Sequence, residues 1–304
     1  MSMFPTKVLL AVDGSEEAER AARLGVMLSD KTDSELHVVY ASPTTSLYSL
    51  PESQIYAPQA HDDLIEVAKK SGREVLDAQL KRLEEMGGKV TETHLGLGRA
   101  DAEIVRISED LGAGIVIVGS RGIGALRRAL MGSVSESVVR HAHCPVLVVR
   151  SHETESNLIG GRLLVATDGS EEAASAVEAA IELAEATGAE LHLVYVLQVD
   201  PPTPYPHAFA AERWESSLQK AKEDARTYIE KQAEHLKTER GIEAGAHLKF
   251  GQAAHEIVEL GEELGAGLLV VGSRGLGGIR RSLMGSVSDA VVRHAHSPVL
   301  VVRD

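Results

Sequence analysis

Apolar and polar positions follow two rhythms along this chain. Short unbroken apolar runs, such as Ile115–Val118 and Val146–Val149, alternate with longer stretches where apolar residues recur at helical spacing. Unbroken runs suit strands of a parallel sheet covered on both faces, and the longer period is that of an amphipathic helix. In the first half the pattern predicts strands over 7–12, 35–40, 90–95, 114–119 and 146–150. It predicts helices over 15–32, 62–86, 101–111 and 134–141. The second half repeats the series, and its first helix carries Ala173, Ala176, Val177, Ala180, Ile181 and Ala184 on one stripe. Ser15 and Ser170, each followed by acidic residues, mark helix starts. Strands alternating with helices imply right-handed crossovers and a doubly wound α/β sheet. Such sheets bind ligands beyond the carboxyl ends of their strands.

The two halves align with each other. Val8-Leu-Leu-Ala-Val-Asp13-Gly-Ser-Glu-Glu-Ala18 matches Leu163-Leu-Val-Ala-Thr-Asp168-Gly-Ser-Glu-Glu-Ala173, and Glu35–Tyr40 matches Glu190–Tyr195. Gly98–Arg150 matches Gly251–Arg303 without a gap, at roughly two-thirds identity. The offset changes only in the region after Tyr40 and Tyr195, the most variable part of each unit. A polar stretch, 151–161, ends in two glycines and reads as a linker between a domain at 1–150 and one at 162–304.

Composition narrows the choices. The 304 residues fit about two domains. Aromatics make up 3%, so the cores must be aliphatic. A net charge of −14 opposes binding to nucleic acid or anionic membranes. It also repels free nucleotide at long range, so a phosphate site must work by local geometry. The one cysteine, Cys144, excludes an internal disulfide and a thiolate metal cluster. No apolar run approaches spanning length, and the start lacks the apolar core of a secretion signal. A reduced cytoplasm is expected.

Candidate chemistry gathers at two loops. Gly119-Ser-Arg-Gly122, nine residues, then Gly132-Ser133 recurs as Gly272-Ser-Arg-Gly275, nine residues, then Gly285-Ser286. A glycine turn between strand and helix lets backbone N–H groups approach phosphates at the positive end of a helix. Ser133, Ser135, Ser286 and Ser288 offer hydroxyls there, beside the backbone of Val134 and Val287. Ser133-Val-Ser-Glu136 also reads as a capping box, with Ser286-Val-Ser-Asp289 an acidic variant. Capping accounts for the serines and acids, but not for the upstream glycines. Arg121, Arg127, Arg128 and their mates Arg274, Arg280, Arg281 either clamp phosphate or form a solvated helix face. Asp13 and Asp168 end the first strand of each half, where a carboxylate either accepts from a nucleoside or simply turns the chain.

Other readings weaken. No Gly-Lys-Ser/Thr occurs, which excludes a P-loop, and the glycine order differs from the dinucleotide fingerprint. His141-x-His143 and His294-x-His296 read as helix ends rather than metal ligands, and no metal site from side chains is expected. The segments 42–61 and 198–213 read as irregular loops, either lids or plain surface.

On these motifs, with the closing His-x-Cys/Ser-Pro-Val-Leu-Val-Val, the chain resembles the universal stress protein family in its tandem two-domain form. The resemblance covers nearly the whole chain. It implies a Rossmann-like, adenine nucleotide alpha hydrolase-type fold, with five parallel strands per domain in the order 3-2-1-4-5. It implies ATP, with Mg2+, as the ligand. Asp13 and Asp168 would contact the nucleoside, and the backbone of Ala41 and Val196, just past the second strands, would meet adenine. Gly119, Gly122, Gly132 and Ser133 would hold ribose and phosphates, as would Gly272, Gly275, Gly285 and Ser286. The family also implies pairing of domains through the last strands, Val146–Arg150 and Val299–Arg303, either within one chain or in self-association between chains as a homodimer. It implies stress-linked regulation with little or slow ATP hydrolysis. An adenylate-hydrolysing enzyme and a scaffold with unused pockets stand as alternatives.

Overall fold

The computed structural model describes residues 3–42, 58–122, 131–150, 161–199, 208–275 and 284–303. The chain divides into two compact units, residues 1–155 with 300–304, and residues 156–299. The first runs β1 (Lys7–Ala11), α1 (Glu16–Thr32), β2 (Glu35–Ser42), α2 (Pro58–Glu85), β3 (Val90–Leu97), α3 (Ala100–Leu111), β4 (Ile115–Gly119), α4 (Ser133–His141) and β5 (Val146–Val149). The second series runs β6 (Arg162–Ala166), α5 (Glu171–Thr187), β7 (Glu190–Leu197), α6 (Ala208–Arg240), β8 (Ala244–Phe250), α7 (Ala253–Leu264), β9 (Leu268–Gly272), α8 (Ser286–His294) and β10 (Val299–Val302).

The first sheet has the order β3-β2-β1-β4-β5, with parallel pairing throughout. The second has β8-β7-β6-β9, also parallel. There the Leu269 N–H bonds the Pro298 carbonyl at 3.0 Å, just before β10 begins. The expected strand order therefore holds, and β1 and β6 lie centrally, with their carboxyl ends at the switch in chain direction.

Local chemistry explains the elements. Ser15 caps α1 by accepting from the Ala18 N–H at 3.2 Å, and Glu16, Glu17 and Glu19 fill the first turn. Ser170 caps α5 in the same way at 3.2 Å, through the Ala173 N–H. Side-chain oxygens at these sites satisfy donors that the helix cannot, and acids there suit its dipole. The α5 stripe is broader than its period suggested. Val177 is only half-buried, whereas Ala179 and Leu183 join Ala176, Ala180 and Ile181 in the core. Strand residues Val8, Leu9, Leu10, Ile115, Val116 and Ile117 are fully buried, as a sheet covered on both faces requires.

Two boundaries differ from expectation. Strands β2 and β7 run on to Ser42 and Leu197, so Ala41 and Val196 lie within strands rather than past them. Helices α2 and α6 begin at Pro58 and Ala208, shortening both irregular segments. Residues 43–57 and 200–207 of those segments, the linker over 151–160, and Arg127, Arg128, Arg280 and Arg281 lie outside the described residues. Among the described residues no helix is long and apolar enough to cross a membrane.

Candidate functional site

Each unit holds a cavity at the carboxyl end of its central strand. The first, about 390 Å³, is lined by Asp13, Ala41, Gly119, Arg121, Gly122, Gly132, Ser133, Val134 and Ser135, among others. The second, about 930 Å³, is lined by Asp168, Val196, Gly272, Arg274, Gly275, Gly285, Ser286, Val287 and Ser288. Residues from Ala11 to Ser135, far apart in sequence, thus meet in the lining of the first cavity. Both volumes fall in the usual range for small-molecule sites.

Asp13 divides its two oxygens. Oδ1 accepts from the Ser15 N–H at 2.9 Å and the Ser15 hydroxyl at 2.6 Å, turning the chain into α1. Oδ2 faces Gly122, so closely that a Cβ there would strike it. Asp168 repeats the arrangement, accepting from Ser170 at 3.0 and 2.6 Å and presenting Oδ2 to Gly275. Each aspartate thus turns the chain with one oxygen and presents the other to the glycine loop in the cavity wall.

The glycine loop closes on itself. The Gly132 N–H bonds the Ser120 carbonyl at 2.8 Å, and the Gly285 N–H bonds that of Ser273 at 2.8 Å. Ser135 is buried, and its hydroxyl donates to the Ser120 carbonyl at 2.8 Å. Ser288 donates to the Gly272 carbonyl at 2.6 Å. These two hydroxyls hold the loop to the strand. Gly132 and Gly285, not the serines after them, are the N-caps of α4 and α8, and neither helix has a side-chain cap. The capping-box expectation is thereby corrected: Ser133 and Ser286 already lie inside the first turn. Glu136 pairs with Arg140 at 3.1 Å, and Asp289 with Arg293 at 2.8 Å.

The consequence is electrostatic. The N–H groups of Ser133, Val134 and Ser135 sit in a first helical turn, where no carbonyl of the same helix can reach them. They lie in the wall of the cavity, where the helix dipole favours an anion. Helix α3 also starts without a side-chain cap, at Arg99, and contributes Ala100 and Ile104 to the same wall.

The strand ends supply a second polar edge. The Val12 N–H bonds the Val39 carbonyl at 2.9 Å, where β1 finishes. Backbone groups on a strand face its two neighbours in turn, so those of Ala41 face the same side as Val39, beyond the end of β1. The Thr167 N–H and the Val194 carbonyl, 2.9 Å apart, set Val196 the same way. Tyr40 and Tyr195 add aromatic rings to the two cavities.

The arginines of the loops are not idle. Arg121 pairs with Glu17 at 2.6 Å, and Arg274 with Glu172 at 3.1 Å. Arg150 is pushed down to about 10, first by burial and then by the charge of Arg121, and stays cationic at neutral pH. Glu17 and Glu172 stand in the repeated Asp-Gly-Ser-Glu-Glu motif, but their pairing is not visible there, because each sits more than a hundred residues from its arginine.

The second cavity differs in one wall. Thr167 replaces Val12, and its hydroxyl lies 3.1 Å from that of Tyr228, which meets Tyr195 edge-on at 5.4 Å. Burial first, then the Asp168 charge, raises the Tyr195 phenol and keeps it neutral.

Outside the cavities, His141 Nδ1 contacts the Ser137 carbonyl at 2.8 Å, as a helix-end histidine does. His143 and His296 pair with Glu109 at 2.8 Å and Glu262 at 2.6 Å. The Cys144 thiol is pushed up to about 11, chiefly by burial, and is not poised as a thiolate.

A doubly wound sheet with a glycine-loop cavity at its switch point defines an α/β protein built twice. The family model described as "Universal stress protein family" matches residues 5–150 and 161–303, and the chain belongs to that family. A universal stress protein of Mycobacterium tuberculosis (strain H37Rv) is 29% identical, with 97% of this chain and 96% of that protein covered. A universal stress protein of Methanocaldococcus jannaschii is 34% identical over 149 residues, 49% of this chain and 84% of its own length. The crystal structure of a universal stress protein from Archaeoglobus fulgidus superposes with a TM-score of 0.67 at 25% identity, covering 99% of this chain and 97% of that one.

Proposed function

We propose that this is an ATP-binding regulatory protein of the stress response with one adenine-nucleotide site per unit. The reading is carried by the uncapped first turn of α4 and of α8, open to a cavity that also receives an aspartate oxygen and free strand-end backbone. Phosphates would take the turn N–H groups, ribose hydroxyls would donate to Asp13 or Asp168, and adenine would lie against Ala41 or Val196 beside a tyrosine. Mg2+ would travel with the phosphates. The acids next along α4 and α8 are held by arginines of their own helices, which supports binding with slow hydrolysis rather than fast phosphoryl transfer. Self-association between chains and a cytoplasmic location belong to the same proposal; sedimentation and cell fractionation read them.

The direct experiment is calorimetric titration of nucleotide-free protein with ATP. Two sites per chain are expected, together with adenine nucleotide released on denaturing freshly purified protein. Absence of both would leave a scaffold with unused pockets. A turnover in the ordinary enzymatic range, lost on combining Glu136→Gln with Asp289→Asn, would make it an enzyme.

A further inference from the structure

A second constellation lies on β2 and β3, outside the nucleotide cavity. The register pairs His37 with Glu92 and Val39 with His94. Residues two apart on a strand share a face, so His37, Glu92 and His94 project to one side of the sheet. Their ligating atoms converge. His37 Nδ1 lies 3.2 Å from His94 Nε2 and 3.9 Å from Glu92 Oε2, which is 4.0 Å from His94 Nε2. A triangle with those edges has its centre about 2.2 Å from every corner, against zinc–ligand distances of about 2.0–2.2 Å.

The surroundings suit a metal as well. On its far side His37 Nε2 lies 3.3 Å from Glu35 Oε2. A proton on Nε2 shared with that carboxylate leaves Nδ1 an unprotonated acceptor on the side of His94 and Glu92. Carboxylate–histidine–metal arrays fix tautomer and ring orientation in this way. The His37 side chain is 4% exposed and that of His94 19%, while Glu92 is 63% exposed. Two sheltered imidazoles are thus joined by a carboxylate on the solvent side, which leaves access and a coordination position for water.

The second unit provides an internal comparison. His192 and His247 repeat the ring pair, Nδ1 to Nε2 at 3.0 Å. Gly245 stands opposite His192, where Glu92 stands opposite His37. The carboxylate is missing there, so the set is complete only in the first unit.

We infer that His37, Glu92 and His94 form a binding site for a divalent first-row transition metal, with Zn2+ the ion that fits two imidazoles and one carboxylate. This departs from the sequence reading, which expected no metal ligands. Strands 55 residues apart place these side chains together, and no local motif announces them.

The test uses the full chain, stripped of metal and nucleotide, titrated with Zn2+ by calorimetry and with Co2+ by absorption. One site is expected that is tighter than the background of surface histidines, with the visible bands of nitrogen-ligated, low-symmetry Co2+. Glu35→Gln is expected to weaken Zn2+ about tenfold, and Glu92→Gln, which removes a ligand, by more than that. His94→Asn is expected to abolish both signals, and His143→Ala to change neither. Retention of the Zn2+ affinity in Glu92→Gln overturns the site. So does the absence of any Zn2+ site in the wild type, which would leave a hydrogen-bonded ring pair. Should His94→Asn fail to fold, Glu92→Gln, altering an exposed side chain, decides alone.

Discussion

Gly119 and Gly122 stand three residues apart in one loop and serve different ends. A Cβ on Gly119 would lie 2.9 Å from the Glu17 carbonyl carbon and 3.0 Å from the Ala18 nitrogen, both backbone atoms. That glycine lets the start of α1 rest on the end of β4. A Cβ on Gly122 meets only the Asp13 carboxylate. Gly119→Ala is therefore expected to cost about 1–3 kcal/mol by overpacking, read as an earlier urea midpoint of the first unit. Gly122→Val is expected to leave that midpoint nearly unchanged and to remove nucleotide from the first unit, by turning Asp13 Oδ2 aside. Equal loss of stability in the two variants would show that both glycines are packing devices. Sequence spacing singled out both residues but could not tell these roles apart, because the difference lies in what faces each missing side chain. The same holds for Ser135. Its place in the motif offers a hydroxyl to phosphate or to a helix cap, whereas the structure turns that hydroxyl back onto the Ser120 carbonyl.

At the scale of elements, the pairing of β7 with β8 carries a pH dependence. His192 and His247 touch through their ring nitrogens at 3.0 Å, so at most one proton fits between them. Burial is the first cause that lowers both below the ordinary 6.5. Glu190 and Arg162 act on His192 in opposite senses, as do Glu263 and Lys249 on His247. The unfolded chain then binds more protons than the folded one as pH falls below about 6.5, so stability rises with pH in that window and is lost toward acid. Urea unfolding between about pH 7 and pH 5 is expected to show that loss for the second unit, and His247→Gln to flatten it. An unchanged slope in the variant would refute the assignment. Element positions were legible beforehand, since helix starts at Ser15 and Ser170 and the aliphatic strands are written locally. What strands bring together was not. The His37–His94 and His192–His247 contacts depend on register, and the Glu17–Arg121 and Glu172–Arg274 pairs depend on where a helix start meets a loop.

At the scale of the whole molecule, duplication does not make the sites equal. The first cavity is about 390 Å³ and the second about 930 Å³. The second also replaces an apolar wall residue, Val12, with Thr167, whose hydroxyl meets that of Tyr228. Polar groups that must stay paired change the cost of admitting a ligand. ATP binding is thus expected to follow two unequal steps rather than one step of double stoichiometry. Asp13→Asn and Asp168→Asn separate them. In each, the amide oxygen can still accept from Ser15 or Ser170 and keep the helix start, while the NH2 presents donors where Oδ2 accepted. Loss of a hydrogen bond to a charged group is worth about 1.5–3 kcal/mol, or roughly ten- to a hundredfold in affinity. Each single variant should erase one step of the isotherm and leave the other in place; the double variant should bind no ATP. At saturating ATP the wild type should unfold later than either single variant, because each occupied site adds its own linkage term, about 2.7 kcal/mol at a hundred times Kd. One remaining step in the wild type, erased by Asp13→Asn alone, would mean that the repeated loop of the second unit holds no nucleotide.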